Sequence, residues 1–174
     1  ELSDIESFLD EIRKDKNVEV TRVDITGYAS PEGTLAHNEW LASERAKALK
    51  TYLVSRISLP ESIYRVKSGE ENWDGLLKLL RTSDMPGKDE VVALIKNVKD
   101  INVRKKELKS FDNGIPYRQM LTEYYPKLRK VECFVTYRVR NLSVEGGKEL
   151  LETNPRYLSL DEMYRIANSY PVGS

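Results

Sequence analysis

The chain has little of what most catalytic and metal sites are built from. It holds one cysteine, Cys133, and one histidine, His37, among 174 residues. A lone cysteine closes no internal disulfide, which neither supports nor excludes an envelope location. A lone histidine with no thiolate nearby argues against a zinc-type site, which draws on several nitrogen and sulfur ligands, and no cofactor is expected. The 28 basic and 28 acidic residues cancel, so no bulk field steers the chain to nucleic acid or to a membrane surface. No apolar run approaches the ~20 residues that span a bilayer, and direct membrane insertion by this segment is not expected. No nucleophile stands in a pattern with a base, so the chain is not read as an enzyme. It also shows no leader, but it begins at Glu1 rather than Met and reads as trimmed, which makes that lack uninformative.

What is present is 32% charged residues, suited to a well-solvated surface, and a length sufficient for one core with a small appendage. The most organised stretch runs from Ile25 to Leu53. A strand ends at Gly27-Tyr28, a polar loop Ser30-Pro31-Glu32-Gly33 follows, and a long helix then carries Asn38 and Arg45. Their spacing is about two helical turns, which puts both side chains on one face, roughly 10 Å apart. A strand, a tight loop and a helix start make a concave site whose free backbone N–H groups favour anions. The chemistry on offer is recognition.

Gly27, Tyr28, Gly33, Asn38, Leu41, Arg45, Ala46, Tyr52 and Leu53 resemble the central motif of the OmpA-like peptidoglycan-binding domain, also found in Pal and MotB proteins. That motif has a strand ending Gly-aromatic-Thr-Asp, a Gly three residues after the Asp, an Asn, then Leu-Ser-x-x-Arg-Ala and a closing Tyr-Leu. Gly69-Glu70-Glu71-Asn72 resembles the Gly-Glu-x-Asn that follows the next strand in the family. The resemblance is dense from about Val20 to Asn72 and weak afterwards. It implies a non-catalytic domain that binds the peptidoglycan stem peptide and anchors a larger periplasmic or outer-membrane protein of a Gram-negative cell envelope. In that family an Asp and the Arg hold the ammonium and carboxylate of diaminopimelate. Here the Asp position is Ser30, so the resemblance implies weak binding, strengthened about tenfold or more by Ser30→Asp. The alternative is a scaffold that keeps the fold without the ligand and spaces modules for protein partners.

In chain order, Ser3-Asp4-Ile5-Glu6 reads as a capping box before a helix over 4–15, and Asp15-Lys16-Asn17 as a polar break. Val20–Ala29 reads as a strand with Val23, Ile25 and Gly27 on one face. Val18 and Val20 are out of phase, so the strand starts late or carries a bulge. Ser30-Pro31 reads as a helix start; if Gly33 interrupts it, the helix begins at Thr34. Ala42, Ala46, Leu49 and Leu53 form its buried stripe. Residues 62–68 alternate as a strand, and the strand–helix–strand order implies a parallel pair with a right-handed crossover. Helices are expected from Trp73 after an Asn72 cap, around Val91–Val98, over 101–110, and from Pro116 to a stop at Pro126. Residues 130–139 are apolar on both faces and read as a strand covered on both sides.

The expected fold class is α/β (α+β): a small mixed sheet with a βαβ unit, covered by helices. The expected division is an OmpA-like domain over 1–140, elaborated by helices over 84–125, and a C-terminal helix pair over 141–174 beginning after Arg140-Asn141-Leu142. Its second helix is opened by the capping box Ser159-Leu160-Asp161-Glu162, and the pair is either the start of a tetratricopeptide-like array or a terminal hairpin packed on the domain.

The candidate ligand-binding residues are Arg45, Ser30, Glu32, Gly33 and Asn38. A guanidinium suits a carboxylate because its fork binds in a bidentate way. Asn38 suits a structural tie between loop and helix, Ser30 a helix cap, and Glu32 is the nearest replacement for the missing Asp. Cys133 reads as a small buried apolar residue, and the charges of Arg104-Lys105-Lys106-Glu107 as facing water. Tyr117, Tyr124 and Tyr125 read as packing residues.

Overall fold

Strand β1 (Val18–Ala29) is the middle strand of a three-stranded sheet of order β2-β1-β3. The computed structural model describes residues 2–15, 17–139 and 143–170. Strand β2 (Tyr64–Glu71) runs parallel to β1, with Val23 beside Tyr64 and Ile25 beside Val66. Strand β3 (Val131–Val139) runs antiparallel on the other side, with Ile25 opposite Cys133. The sheet is therefore mixed, and the fold is α+β.

The out-of-phase valines are resolved by a bulge. Thr21 is the extra residue of β1, between Val20 opposite Tyr137 and Arg22 opposite Thr136. Its hydroxyl donates to the Thr136 carbonyl at 3.1 Å. The strand starts at Val18, and Val18 and Val20 are buried along with Val23 and Ile25.

Helix α2 (Leu35–Arg56) links the parallel strands. Ala42, Ala46, Leu49 and Leu53 are all buried, which is the expected stripe. Its contact with β1 is close because Gly27 has no side chain: a Cβ there would lie 2.0 Å from the Ala42 carbonyl oxygen. The helix does not start at Ser30-Pro31. Thr34 is its cap, accepting the His37 N–H at 3.3 Å, and Pro31-Glu32-Gly33 forms a turn outside it. Helix α1 (Leu2–Lys14) likewise contains Ser3, which therefore lies inside the first turn rather than ahead of it.

The chain between β2 and β3 is helical: α3 (Trp73–Arg81), α4 (Lys88–Asn97), α5 (Ile101–Ser110), α6 (Ile115–Gln119) and α7 (Tyr125–Leu128). Asn72 caps α3, as expected, by accepting the Gly75 N–H at 2.9 Å. Pro126 does not stop the helix it follows. A π-helical turn, Met120–Tyr124, intervenes, and Pro126 then sits in the first turn of α7, where its missing N–H costs no bond.

Two apolar cores result. The first lies between the sheet, α1 and α2 and includes Leu9, Ile12, Val23, Ile25 and Leu53. The second lies among the helices, around Leu76, Leu80, Leu108, Met120 and Tyr125. Tyr124 and Tyr125 are buried packing residues. Helices α8 (Val144–Thr153) and α9 (Leu160–Ala167) place Leu150 and Ile166 in the first core, so this hairpin packs on the domain. The capping box of Ser159 and Glu162 forms as expected. The boundary expected at Arg140-Asn141-Leu142 lies outside the described residues, as does Lys16 of the first polar break.

Strand β3 is covered on one face only. Val131, Cys133, Val135 and Tyr137 pack toward the first core, whereas Phe134 on the opposite face is 63% exposed. Cys133 is half-buried rather than fully enclosed. Burial, with a smaller contribution from the Asp24 carboxylate, pushes its thiol up to about 11. Thiolate is the reacting form, so alkylation by iodoacetamide at pH 8 is expected to run ~100-fold slower than for a free cysteine. It should accelerate as the pH approaches 11 and reach the normal rate in denaturant. An ordinary rate in the folded protein would contradict this burial.

Candidate functional site

The site forms where β1 ends. Ala29 closes the strand, Ser30 to Thr34 turn the chain, and Asn38, Leu41 and Arg45 descend one face of α2. A pocket of about 410 Å³ opens here, lined by Ala29, Ser30, Glu32, Gly33, His37, Asn38, Leu41 and Arg45 together with Arg129. The five sequence candidates thus share one cavity, of a size usual for small-ligand sites.

Arg45 is half-buried, and its Nη1 donates to the Tyr28 carbonyl at 3.0 Å. No carboxylate pairs with it among the described residues. Its pKa is lowered from the usual arginine value, first by burial and second by the nearby charge of Arg129. It remains a cation held where its charge is not neutralised, an arrangement that an incoming carboxylate relieves.

Ser30 is 5% exposed and is not a helix cap. Its hydroxyl donates to Glu32 Oε2 at 3.0 Å and accepts from Arg129 Nε at 3.1 Å. Arg129 Nη2 also pairs with Glu32, which closes a triangle. Glu32 therefore lines the pocket with its charge already matched. Arg129 follows α7 and comes from a part of the chain 99 residues beyond Ser30. No local pattern marks it, and the sequence reading missed it.

Asn38 ties α2 to the end of β2, where its residue type had suggested a tie to the loop. Its Nδ2 donates to Glu71 Oε1 at 2.7 Å, and Trp73 Nε1 donates to Glu71 Oε2 at 3.0 Å. Glu71 forms a buried ion pair with Lys105, whose Nζ also donates to the Gly33 carbonyl at 2.8 Å. Lys105 is 7% exposed, which corrects the expectation that the charges of 104–107 face water. Arg104 also turns inward, stacking 4.7 Å from the centroid of the Trp73 ring. Helix α5 thus reaches back to fix the Ser30–Thr34 loop. Glu71 falls within the motif stretch Gly69–Asn72; Lys105 carried no signal beyond an unbroken run of charge.

The chemistry available is anion recognition by hydrogen bonding and charge. His37 stacks on Trp40 at 5.8 Å between ring centroids and takes no part in the Ser30–Glu32–Arg129 triangle. Among the described residues no group of three His, Cys, Asp or Glu is placed to hold a metal, and no helix is long and apolar enough to cross a membrane. Comparison with protein-family models, curated proteins and solved structures yields no match to this chain.

Proposed function

We propose that this chain is a non-catalytic recognition domain that binds a ligand carboxylate through Arg45. The observation that supports it is the half-buried guanidinium, without a carboxylate partner among the described residues, in a pocket open to a small ligand. The resemblance of Gly27 to Leu53 and of Gly69 to Asn72 to the OmpA-like motif supports the peptidoglycan stem as that ligand. An envelope location, anchoring a larger protein, follows from that reading. A second reading, a ligand-free scaffold for protein partners, is favoured by the triangle at Ser30. Arg129 stands on the hydroxyl that replaces the motif Asp and occupies Glu32, so the carboxylate lining the pocket is already paired and not free for a ligand ammonium.

The test is calorimetric titration with a soluble diaminopimelate stem peptide. Arg45→Ala should weaken binding at least ~tenfold, the worth of one charged hydrogen bond, and cost about 1 kcal/mol of stability through the lost bond to the Tyr28 carbonyl, too little to unfold the domain. The structure modifies the expectation for Ser30→Asp. Arg129 would pair with the new carboxylate, so the ~tenfold gain is expected only when Arg129→Gln accompanies it. Absence of binding in all of these proteins, each shown to be folded, would leave the scaffold reading.

A further inference from the structure

A second cavity adjoins the Arg45 pocket. It measures about 660 Å³ and shares Glu32 and Gly33 with that pocket as a common wall. Its far side is one face of α5, on which Asn102, Lys105, Lys106 and Lys109 recur at helical spacing.

The charges of this cavity do not cancel. Glu32 is matched by Arg129, and Lys105 by Glu71. Lys106 and Lys109 are exposed and have no carboxylate partner among the described residues; Lys109 Nζ lies 5.8 Å from the centroid of the Tyr117 ring. The remaining lining, Thr34, Asn102 and Ser110, is polar and neutral. A chain of zero net charge thus gathers two unmatched lysines beside an unmatched arginine, along two cavities in contact. On the same helix, Arg104 and Lys105 are consumed by Trp73 and Glu71, and the two lysines left over line the cavity beside Lys105.

We propose that Lys106 and Lys109 form a second carboxylate subsite, so that the composite site takes an acidic peptide bearing two carboxylates, one at Arg45 and one across the Glu32–Gly33 wall. For a stem peptide, the second would be the free C-terminal carboxylate, and in that form the inference rests on the proposed function above. A single-carboxylate ligand would leave the lysine cavity unused.

The test compares a stem peptide carrying a free C-terminal carboxylate with the same peptide as its C-terminal amide, on the parent and on Lys106→Gln/Lys109→Gln. Both lysines are exposed, so the variant should fold. The acid is expected to bind the parent about five- to tenfold tighter than the amide, as a charge-assisted contact in a solvated site allows, and the difference should vanish in the variant. Equal binding of acid and amide by the parent overturns the subsite while leaving the Arg45 reading intact. A second arm uses triglutamate, followed by amide shifts in a ¹⁵N-labelled chain. Shifts across 102–110 that disappear in the lysine variant support the subsite even if no stem peptide binds, in which case only the stem assignment fails. No shift there with triglutamate and no stem binding overturns the subsite as well.

Discussion

Replacing Lys105 by methionine should lower the unfolding free energy by about 3–5 kcal/mol. The side chain is 7% exposed and its ammonium lies between the Glu71 carboxylate and the Gly33 carbonyl. Methionine fills much of the volume but leaves the Glu71 charge buried with only the neutral donors of Asn38 and Trp73. An uncompensated buried charge accounts for most of that cost. Glu71→Gln added to Lys105→Met should therefore recover a good part of the loss, because the amide removes the charge, its oxygen still accepts from Trp73, and its NH2 meets the Asn38 amide, which can turn its own oxygen to accept. Non-additivity of the two substitutions is the signature of the pair. Urea denaturation measures it, provided the m-value is unchanged. A Lys105→Met protein within ~1 kcal/mol of the parent would show that the pair contributes little.

Gly27→Ala is the second large effect, and it works through sterics alone. The added Cβ would meet the Ala42 carbonyl oxygen at 2.0 Å and the Ala46 nitrogen at 3.0 Å. Both are backbone atoms of α2 and cannot swing aside, so the helix must move off the sheet. Overpacking of this kind costs about 1–3 kcal/mol, and a rigid backbone clash belongs at the upper end. For a chain of this size that corresponds to a fall of roughly 6–12 °C in Tm. Gly33→Ala is the matched control. Its Cβ would meet Asn38 Oδ1 at 3.1 Å, a side-chain atom that can give by a few tenths of an ångström. Equal Tm values for Gly27→Ala and the parent would mean that α2 does not pack against β1 at this distance.

Legibility of the fold in the sequence followed the range of the interactions. The buried stripe of α2, the Asn72 cap and the Ser159–Glu162 box depend on neighbours within a few turns, and each was readable from spacing. The start of α2 was ambiguous because Ser30-Pro31 and Thr34 both offer a cap; the turn at Pro31–Gly33 decides for Thr34. The outer face of β3 was misread because the pattern of Phe134 cannot show whether anything covers it, and here it is exposed. Pro126 was read as a stop because the π-helical turn that accommodates it leaves no mark in the residue types. At the site, the short segment from Ser30 to Arg45 announced its own residues. Arg129 and Lys105 reach it across 99 and 72 residues. Only the tertiary fold brings them there.

The bulge at Thr21 gives β1 a parity that its ladder alone does not set. Val18 and Val20 are even-numbered and Val23 and Ile25 are odd-numbered, yet all four face the same core. In a strand of period two, one inserted residue reconciles the two sets. Pairing Thr21 into a regular ladder would turn Val18 and Val20 outward, away from the cluster they share with Leu9 and Ile12, whereas deleting it would make the pairing with β3 continuous and leave both valines facing the core. With Thr21 present, the irregular ladder is thus the condition under which one strand faces the same core along its whole length. Loss of Thr21 would therefore keep the sidedness of both ends of β1, whereas loss of the bulge with Thr21 retained would invert the α1 end while the Gly27 end that positions the pocket kept its phase.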